Sequence, residues 1–417
     1  MPENFHIDMP EAVRNIIHTI EEHGFKAYAV GGCIRDSILG RNPDDWDITT
    51  SAVPSQIKTF FKRTVDTGIA HGTVTIMIDK TGYEVTTYRI DGEYEDGRHP
   101  KSVEFSDRLV DDLCRRDFTI NAMAYNDTDG FVDEFKGLDD LDTKIIRCVG
   151  EPELRFTEDA LRMMRAIRFS AQLGFTIDEA TWNAIKKLSP SISKISMERV
   201  HVELGKTLMS AHPDYVAQYS EAGLFAPILP VIDNALKSRY NRKILATLQH
   251  TPDNIYLRYA ALFITSTPDE AAKTLRALKL DNKTVNTVSK LVELSKMDIE
   301  ETEPAVRTAL NKYGRDFLTL WHELMMAVIQ ASEDITGISN PAKVKHLLTL
   351  KRLGTDILAR GDCFTIKDLD RSGNDLIEYG LQGHEIGETL KSLLDIVIEN
   401  PKLNDKATLI AMIEHIK

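Results

Sequence analysis

The chain has 417 residues, 42% hydrophobic and 28% charged, which is too long for one ordinary core and calls for several domains. Its net charge of −13 excludes a protein that coats nucleic acid by bulk attraction. A local basic patch stays open, because charges are screened beyond roughly 10 Å.

No apolar run is long enough to span a bilayer, and the first ten residues, MPENFHIDMP, lack the basic and apolar segments of a secretory signal. A cytoplasmic protein with no membrane role is expected. Cys33, Cys114, Cys148 and Cys363 are far apart with no C-x-x-C pair, so neither a zinc site nor a disulfide framework is expected.

The first third reads as mixed α/β. Glu11–Glu22 carries apolar residues at helical spacing (Val13, Ile16, Ile17, Ile20). A strand is predicted over Lys26–Val30, a short helix over Cys33–Leu39, a strand over Asp45–Thr50, and a helix over Pro54–Lys62 with proline in its first turn. Thr73–Asp79 and Tyr83–Arg89 form a predicted hairpin turning at Lys80-Thr81-Gly82. Asp91–Lys101 is polar and glycine-containing, a predicted loop, and helical patterns follow at Asp107–Arg115 and Thr119–Tyr125.

From about Glu151 the strand signal disappears. Helices are predicted over Thr157–Leu173, Asp178–Leu188, Met197–Ser210, Pro213–Glu221, Ile255–Thr265, Pro268–Leu278 and Thr284–Ser295. They continue over Pro304–Lys312, Phe317–Ala331, Pro341–Arg352, Gly383–Glu399 and Lys406–Ile416. The architecture is a small α/β head followed by a long all-helical remainder.

Asp45 and Asp47 lie two apart in a predicted strand, so they share a face while Trp46 turns away. With no basic neighbour in the strand, the pair suits hard cations such as Mg²⁺. Two such ions can activate an attacking hydroxyl and stabilise a leaving phosphoryl oxygen. Glu84, on a later strand, is a candidate third ligand. A solvated strand end explains the aspartates equally well when they are taken alone. Gly31 and Gly32 precede a helix start, where backbone N–H groups can approach a phosphate, and Arg35 can add a charge-assisted hydrogen bond.

The order strand, Gly-Gly, helix, then D-x-D, spelled GGCIRD and DDWDITTSA, resembles the signature of the nucleotidyltransferase superfamily of DNA polymerase β type. Within it the match is to the class II branch, the CCA-adding tRNA nucleotidyltransferases and the bacterial poly(A) polymerases. A second segment, Arg115-Arg116-Asp117-Phe118-Thr119-Ile120-Asn121-Ala122, resembles the family's nucleotide-sugar motif, which assigns that role to Arg116, Asp117 and Asn121. A third, Glu158-Asp159-Ala160-Leu161-Arg162 and on to Arg165 in one predicted helix, resembles the family's base-reading motif.

Chemistry supports that third role. Cytosine and adenine both present an amino donor beside a ring-nitrogen acceptor, and an aspartate only accepts while an arginine only donates. Asp159 and Arg162, side by side on a helix, could read both bases. Uracil and guanine would leave buried groups unpaired, at roughly 1–3 kcal/mol each. Taken alone, an ordinary intrahelical ion pair explains the same spacing.

The loop Asp96-Gly97-Arg98-His99-Pro100 resembles the family's D-x-R-R-P, with His99 at the second arginine. In CCA-adding members this loop helps switch from C to A, which the resemblance carries to Asp96 and Arg98. Ile195-Ser196-Met197-Glu198-Arg199-Val200 resembles a fifth segment that braces the base-reading helix. No His-Asp dipeptide occurs, so an appended phosphohydrolase of that type is not expected.

The resemblance implies an α/β nucleotidyltransferase (polymerase-β-like) head with a mixed sheet, followed by an elongated all-α remainder. The expected division is a catalytic head at 1–150, a nucleotide-reading neck at 151–210, a helical body at 211–335 and a tRNA-binding tail at 336–417. It implies Mg²⁺-dependent addition of CCA to tRNA from CTP and ATP, with two ions and no protein partner. The alternatives are a poly(A) polymerase, a CC-only or A-only enzyme, and a non-catalytic RNA-binding protein. Phosphate contacts are expected at Lys237, Arg239, Arg242 and Lys243, and at Lys343, Lys345, Lys351 and Arg352, although solvated helix faces explain any one of these.

Overall fold

The computed structural model describes residues 6–92 and 103–416. The chain divides into two compact units, Met1–Asp233 and Asn234–Lys417.

The first unit is built on a seven-stranded mixed sheet in the order β3-β4-β5-β2-β1-β8-β9. Its strands are β1 (Ala27–Val30), β2 (Ile48–Thr50), β3 (Thr64–Gly68), β4 (Thr73–Ile78), β5 (Thr81–Thr87), β8 (Ala124–Asn126) and β9 (Gly130–Val132). The β2–β5 pair is parallel and the other pairs are antiparallel. Two ribbons lie outside this sheet, β6 (Arg89–Asp91) with β7 (Val103–Phe105) and β10 (Ile145–Ile146) with β11 (Thr176–Ile177).

Helices α1 (Glu11–Glu22), α2 (Gly32–Ile38), α3 (Pro54–Phe60), α4 (Leu109–Cys114) and α5 (Gly137–Asp142) accompany the sheet. Helix α1 buries Val13, Ile16, Ile17 and Ile20, the stripe its spacing predicts. The sequence pattern gives β4 and β5 correctly as a hairpin, but the turn is made by Asp79 and Lys80 rather than Lys80–Gly82. Both have positive φ, 47° and 70°, the geometry that matches the twist of a two-residue hairpin.

Two further expectations are overturned. Thr119–Tyr125 is not a helix: a single 3₁₀ turn at Thr119–Asn121 leads into β8, which pairs with β1. The predicted helix over Thr157–Leu173 is two helices, α6 (Pro152–Glu158) and α7 (Leu161–Leu173), because Asp159 adopts an extended backbone, φ −143° and ψ 105°. They are followed by α8 (Glu179–Leu188), capped by the Asp178 side chain on the Thr181 N–H, and by α9 (Met197–Leu208). The two-residue strand β11 lies beyond Glu151, where no strand is predicted.

The described residues of the second unit are helical. Its longest helices are Phe317–Thr336 and Pro341–Arg360. Thr267 and Glu270 form a reciprocal capping box, and Asp281 and Asn340 cap two other helices. Leu376, Leu393, Val397 and Leu409 are fully buried in a core that closes its C-terminal part. No helix among the described residues is long and apolar enough to cross a membrane.

Candidate active site

The aspartate pair does not lie within a strand as predicted. Asp45, Trp46 and Asp47 precede β2, which begins at Ile48, so strand alternation does not place the two carboxylates on one face. The Val30 N–H donates to the Asp47 carbonyl at 3.0 Å and ties that approach to β1. Since Ile48 faces Val85 in the parallel β2–β5 pair, Asp47 and Glu84 each sit one residue before matched positions on neighbouring strands.

The acidic side chains sense one another. Asp47 is exposed to solvent, yet partial desolvation by its surroundings pushes its carboxyl above the usual range; the Arg116 charge opposes this and Asp45 adds to it. The exposed Glu84 is likewise raised, first by partial desolvation and then by Asp47 and Asp45. Among the described residues no three His, Cys, Asp or Glu side chains converge tightly enough to hold an ion by themselves. The set is therefore an aspartate pair with a glutamate at longer range. That suits Mg²⁺, which takes one or two carboxylates and completes its octahedron with substrate phosphates and water.

Gly31 has φ +87°, a backbone open to glycine, and a Cβ there would lie 2.9 Å from Arg116 Nη1. Gly32 opens α2. Arg35, expected to meet phosphate, is turned inward. Its Nε and Nη2 donate to Asp36 at 2.9 and 2.8 Å, and Nη1 donates to Asn121 Oδ1 at 2.6 Å.

Asn121 in turn donates to Asp117 Oδ1 at 3.1 Å, and Arg165 donates to Asp117 Oδ2 at 2.7 Å. Burial alone would raise the Asp117 carboxyl, but Arg165, the Asn121 amide and Arg162 hold it well below the usual carboxylate range. The guanidinium carbons of Arg35, Arg165 and Arg168 lie 5.1, 5.3 and 3.9 Å from the centre of the Phe169 ring on α7. Arg35, Asp117 and Asn121, all buried, thus form one network with the partly exposed Arg165.

Asp159 and Arg162 do not pair with each other. Asp159 accepts from Arg199 on α9, at 2.7 and 3.3 Å, and from the Leu161 N–H at 3.0 Å. Arg162 donates to Glu158 at 2.7 Å and to the carbonyl oxygens of Arg155 and Arg115 at 3.3 and 2.9 Å. The predicted side-by-side helical pair fails because the helix stops at Glu158 and restarts at Leu161.

Asp96 and Arg98 lie outside the described residues. Two participants carry no site assignment in the sequence reading. Arg199, quoted there only within a bracing segment, grips Asp159. Asp112, fully buried, receives both Arg115 and Arg116. Its spacing of three and four residues before that arginine pair on a helix is a legible signal.

In the second unit, a cavity of about 580 Å³ is lined by Trp321, Met325, Val328, Lys243, Lys296 and Lys343 among others. It brings one lysine from each predicted basic cluster to a single place.

Three family models match in succession. "Poly A polymerase head domain" covers residues 27–147, "Probable RNA and SrmB- binding site of polymerase A" covers 174–236, and a tRNA nucleotidyltransferase domain 2 covers 253–413. The CCA-adding enzyme of Limosilactobacillus reuteri is 49% identical over 230 residues, so the matched stretch spans about half of each chain, 54% and 56%. That of Pediococcus pentosaceus is 34% identical over 420 residues, 98% of each. The solved CCA-adding enzyme of Bacillus stearothermophilus, in complex with CTP, superposes with a TM-score of 0.75 at 32% identity over 97% of both chains. Followed almost from end to end by such a relative and by a solved structure of the same kind, the chain belongs to the family of CCA-adding enzymes, the tRNA nucleotidyltransferases.

Proposed function

We infer that this chain completes tRNA 3′ ends, adding C, C and A from CTP and ATP without a nucleic-acid template and releasing pyrophosphate. The observation that carries the reading is the Arg162 bond to the Arg115 carbonyl, which joins the base-reading segment to the nucleotide-sugar segment.

Nucleotidyltransferases of this kind use divalent metal ions, and two Mg²⁺ held by Asp45 and Asp47, with Glu84 as the outer carboxylate, would supply Lewis-acid stabilisation around the triphosphate. The chain's own residues do the rest. The Gly31–Gly32 turn offers backbone N–H groups to the phosphates. Arg116 meets the sugar–phosphate portion, and Asp117 and Asn121 border the ribose. Arg35 acts through Asn121, and Arg165 through Asp117. Asp159, held by Arg199, accepts from the amino group of C or A, and Arg162 donates to the ring nitrogen. The 3′-hydroxyl of tRNA attacks the α-phosphorus and pyrophosphate departs.

Asp96 and Arg98 are assigned to the switch from C to A. The finer division is kept as 1–150 head, 151–210 neck, 211–335 body and 336–417 tail, with the tail on tRNA and the activity in the cytoplasm. The test supplies tRNA lacking its last three nucleotides with each NTP singly and in pairs. CTP alone should add two residues, and CTP with ATP three. Long adenosine tails, or arrest after CC with ATP present, would contradict the reading.

A further inference from the structure

Asp112 is fully buried on α4 and touches three side chains from two directions. Its Oδ1 accepts from Arg115 Nε and Nη2 at 2.9 and 2.5 Å, and its Oδ2 accepts from Arg116 Nη2 at 3.2 Å. The hydroxyl of Thr49 on β2, two residues beyond Asp47, lies 3.1 Å from the same Oδ2.

A buried ion pair is weak grounds for stability, because well-packed apolar residues of like volume do as well. Arg116 sharpens the point. Its Nε is buried with no hydrogen-bond partner, an arrangement that disfavours folding. The guanidinium is thus held for its place, not for its bond count. That place is against Gly31, where Nη1 leaves no room for a Cβ. Gly31 follows Val30, whose N–H donates to the Asp47 carbonyl at 3.0 Å, so the turn against which Arg116 packs is tied directly to the aspartate pair.

We propose that Asp112, anchored to β2 by Thr49, is a positioning residue that fixes Arg116 between the Gly31 turn and the aspartate pair, so that the guanidinium meets the sugar–triphosphate portion of an incoming nucleotide in one orientation. This rests on the nucleotidyl-transfer reading above. The shared portion of CTP and ATP is what Arg116 would meet, so both nucleotides are affected alike and the choice of base is not.

Full-length Thr49→Val, Thr49→Ser and Asp112→Asn are compared with the parent chain by direct CTP and ATP binding, steady-state kinetics and thermal unfolding. Thr49→Val should raise Kd and KM about 3–10-fold for CTP and ATP equally, the loss of one hydroxyl hydrogen bond that Asp112 shares with the Thr86 carbonyl. Its kcat and its KM for tRNA should be unchanged. Thr49→Ser, which keeps the hydroxyl, should restore parental values, and Asp112→Asn should lose about 10–100-fold in nucleotide affinity. Unchanged Kd in a folded Thr49→Val, or a loss confined to kcat and melting temperature, would overturn the proposal.

If Asp112→Asn does not fold, the Thr49 pair decides alone. If the parent chain binds CTP but never extends tRNA, the functional reading fails while the Kd ratios still judge Asp112.

Discussion

Gly31 and Gly32 are neighbours of identical chemistry held to different standards. Gly31 needs positive φ, and a methyl there would meet Arg116 Nη1 at 2.9 Å. A Cβ on Gly32 would find only Arg35 Nη2, at an ordinary 3.7 Å. Gly31→Ala should cost about 1–3 kcal/mol of stability, because φ 87° with ψ −129° is a backbone that favours glycine, and should displace Arg116. Gly32→Ala should unfold within about 0.5 kcal/mol of the parent yet bind CTP less tightly, because a methyl would hold the phosphate off the N–H groups. Thermal unfolding and CTP titration of both variants check this. Equal destabilisation by the two would refute the distinction.

The break between α6 and α7 separates Asp159 from Arg162, the two residues proposed to read the base. Periodicity in Thr157–Leu173 does not announce it: there is no proline or glycine in that stretch, and Leu161, Met164 and Ile167 keep helical spacing, so the single signal is Asp159, whose side chain accepts from the Leu161 N–H as a helix-start residue does. The interruption coincides with a non-local partner, Arg199, forty positions along the chain. Sequence periodicity cannot register such a contact.

The same reasoning explains β8. Ala124, Tyr125 and Asn126 are all buried, so the period-two alternation that marks a half-exposed strand is missing. Helix α1 was legible because one face is wet, and the motif residues were legible through resemblance. Their wiring was not: Arg35 turns from phosphate to Asn121, and Asp159 turns from Arg162 to Arg199.

Arg199→Ala should therefore free the Asp159 carboxylate without touching substrate directly. Discrimination of CTP against UTP should fall about tenfold, the worth of one charge-assisted hydrogen bond. Arg199→Lys should recover only part of it, since a point charge cannot make the bidentate grip. Competition assays with CTP and UTP measure the ratio. Intact discrimination in a folded Arg199→Ala would show that Arg199 does not position Asp159 for base selection.

For the molecule as a whole, a net charge of −13 has to be reconciled with the polyanionic partner proposed for it. Local concentration of charge is the physical route, and the cavity of the second unit gathers Lys243, Lys296 and Lys343 on apolar walls. Recognition of an A-form acceptor arm by shape and 2′-hydroxyls needs few phosphate contacts. The salt dependence of tRNA binding should correspond to about three or four neutralised phosphates, a shallow slope. Reversing Lys243 and Lys343 together to glutamate should raise KM for tRNA about tenfold and leave KM for CTP unchanged. A change in CTP affinity with tRNA binding intact would contradict that division of labour.

The most direct measurement is a crystal structure of this chain with CTP and Mn²⁺, the metal located by its anomalous signal. Metal is expected on Asp45 and Asp47, with the cytosine amino edge on Asp159 and Arg162. Metal bound away from Asp45 and Asp47, or cytosine held away from both Asp159 and Arg162, would overturn this reading.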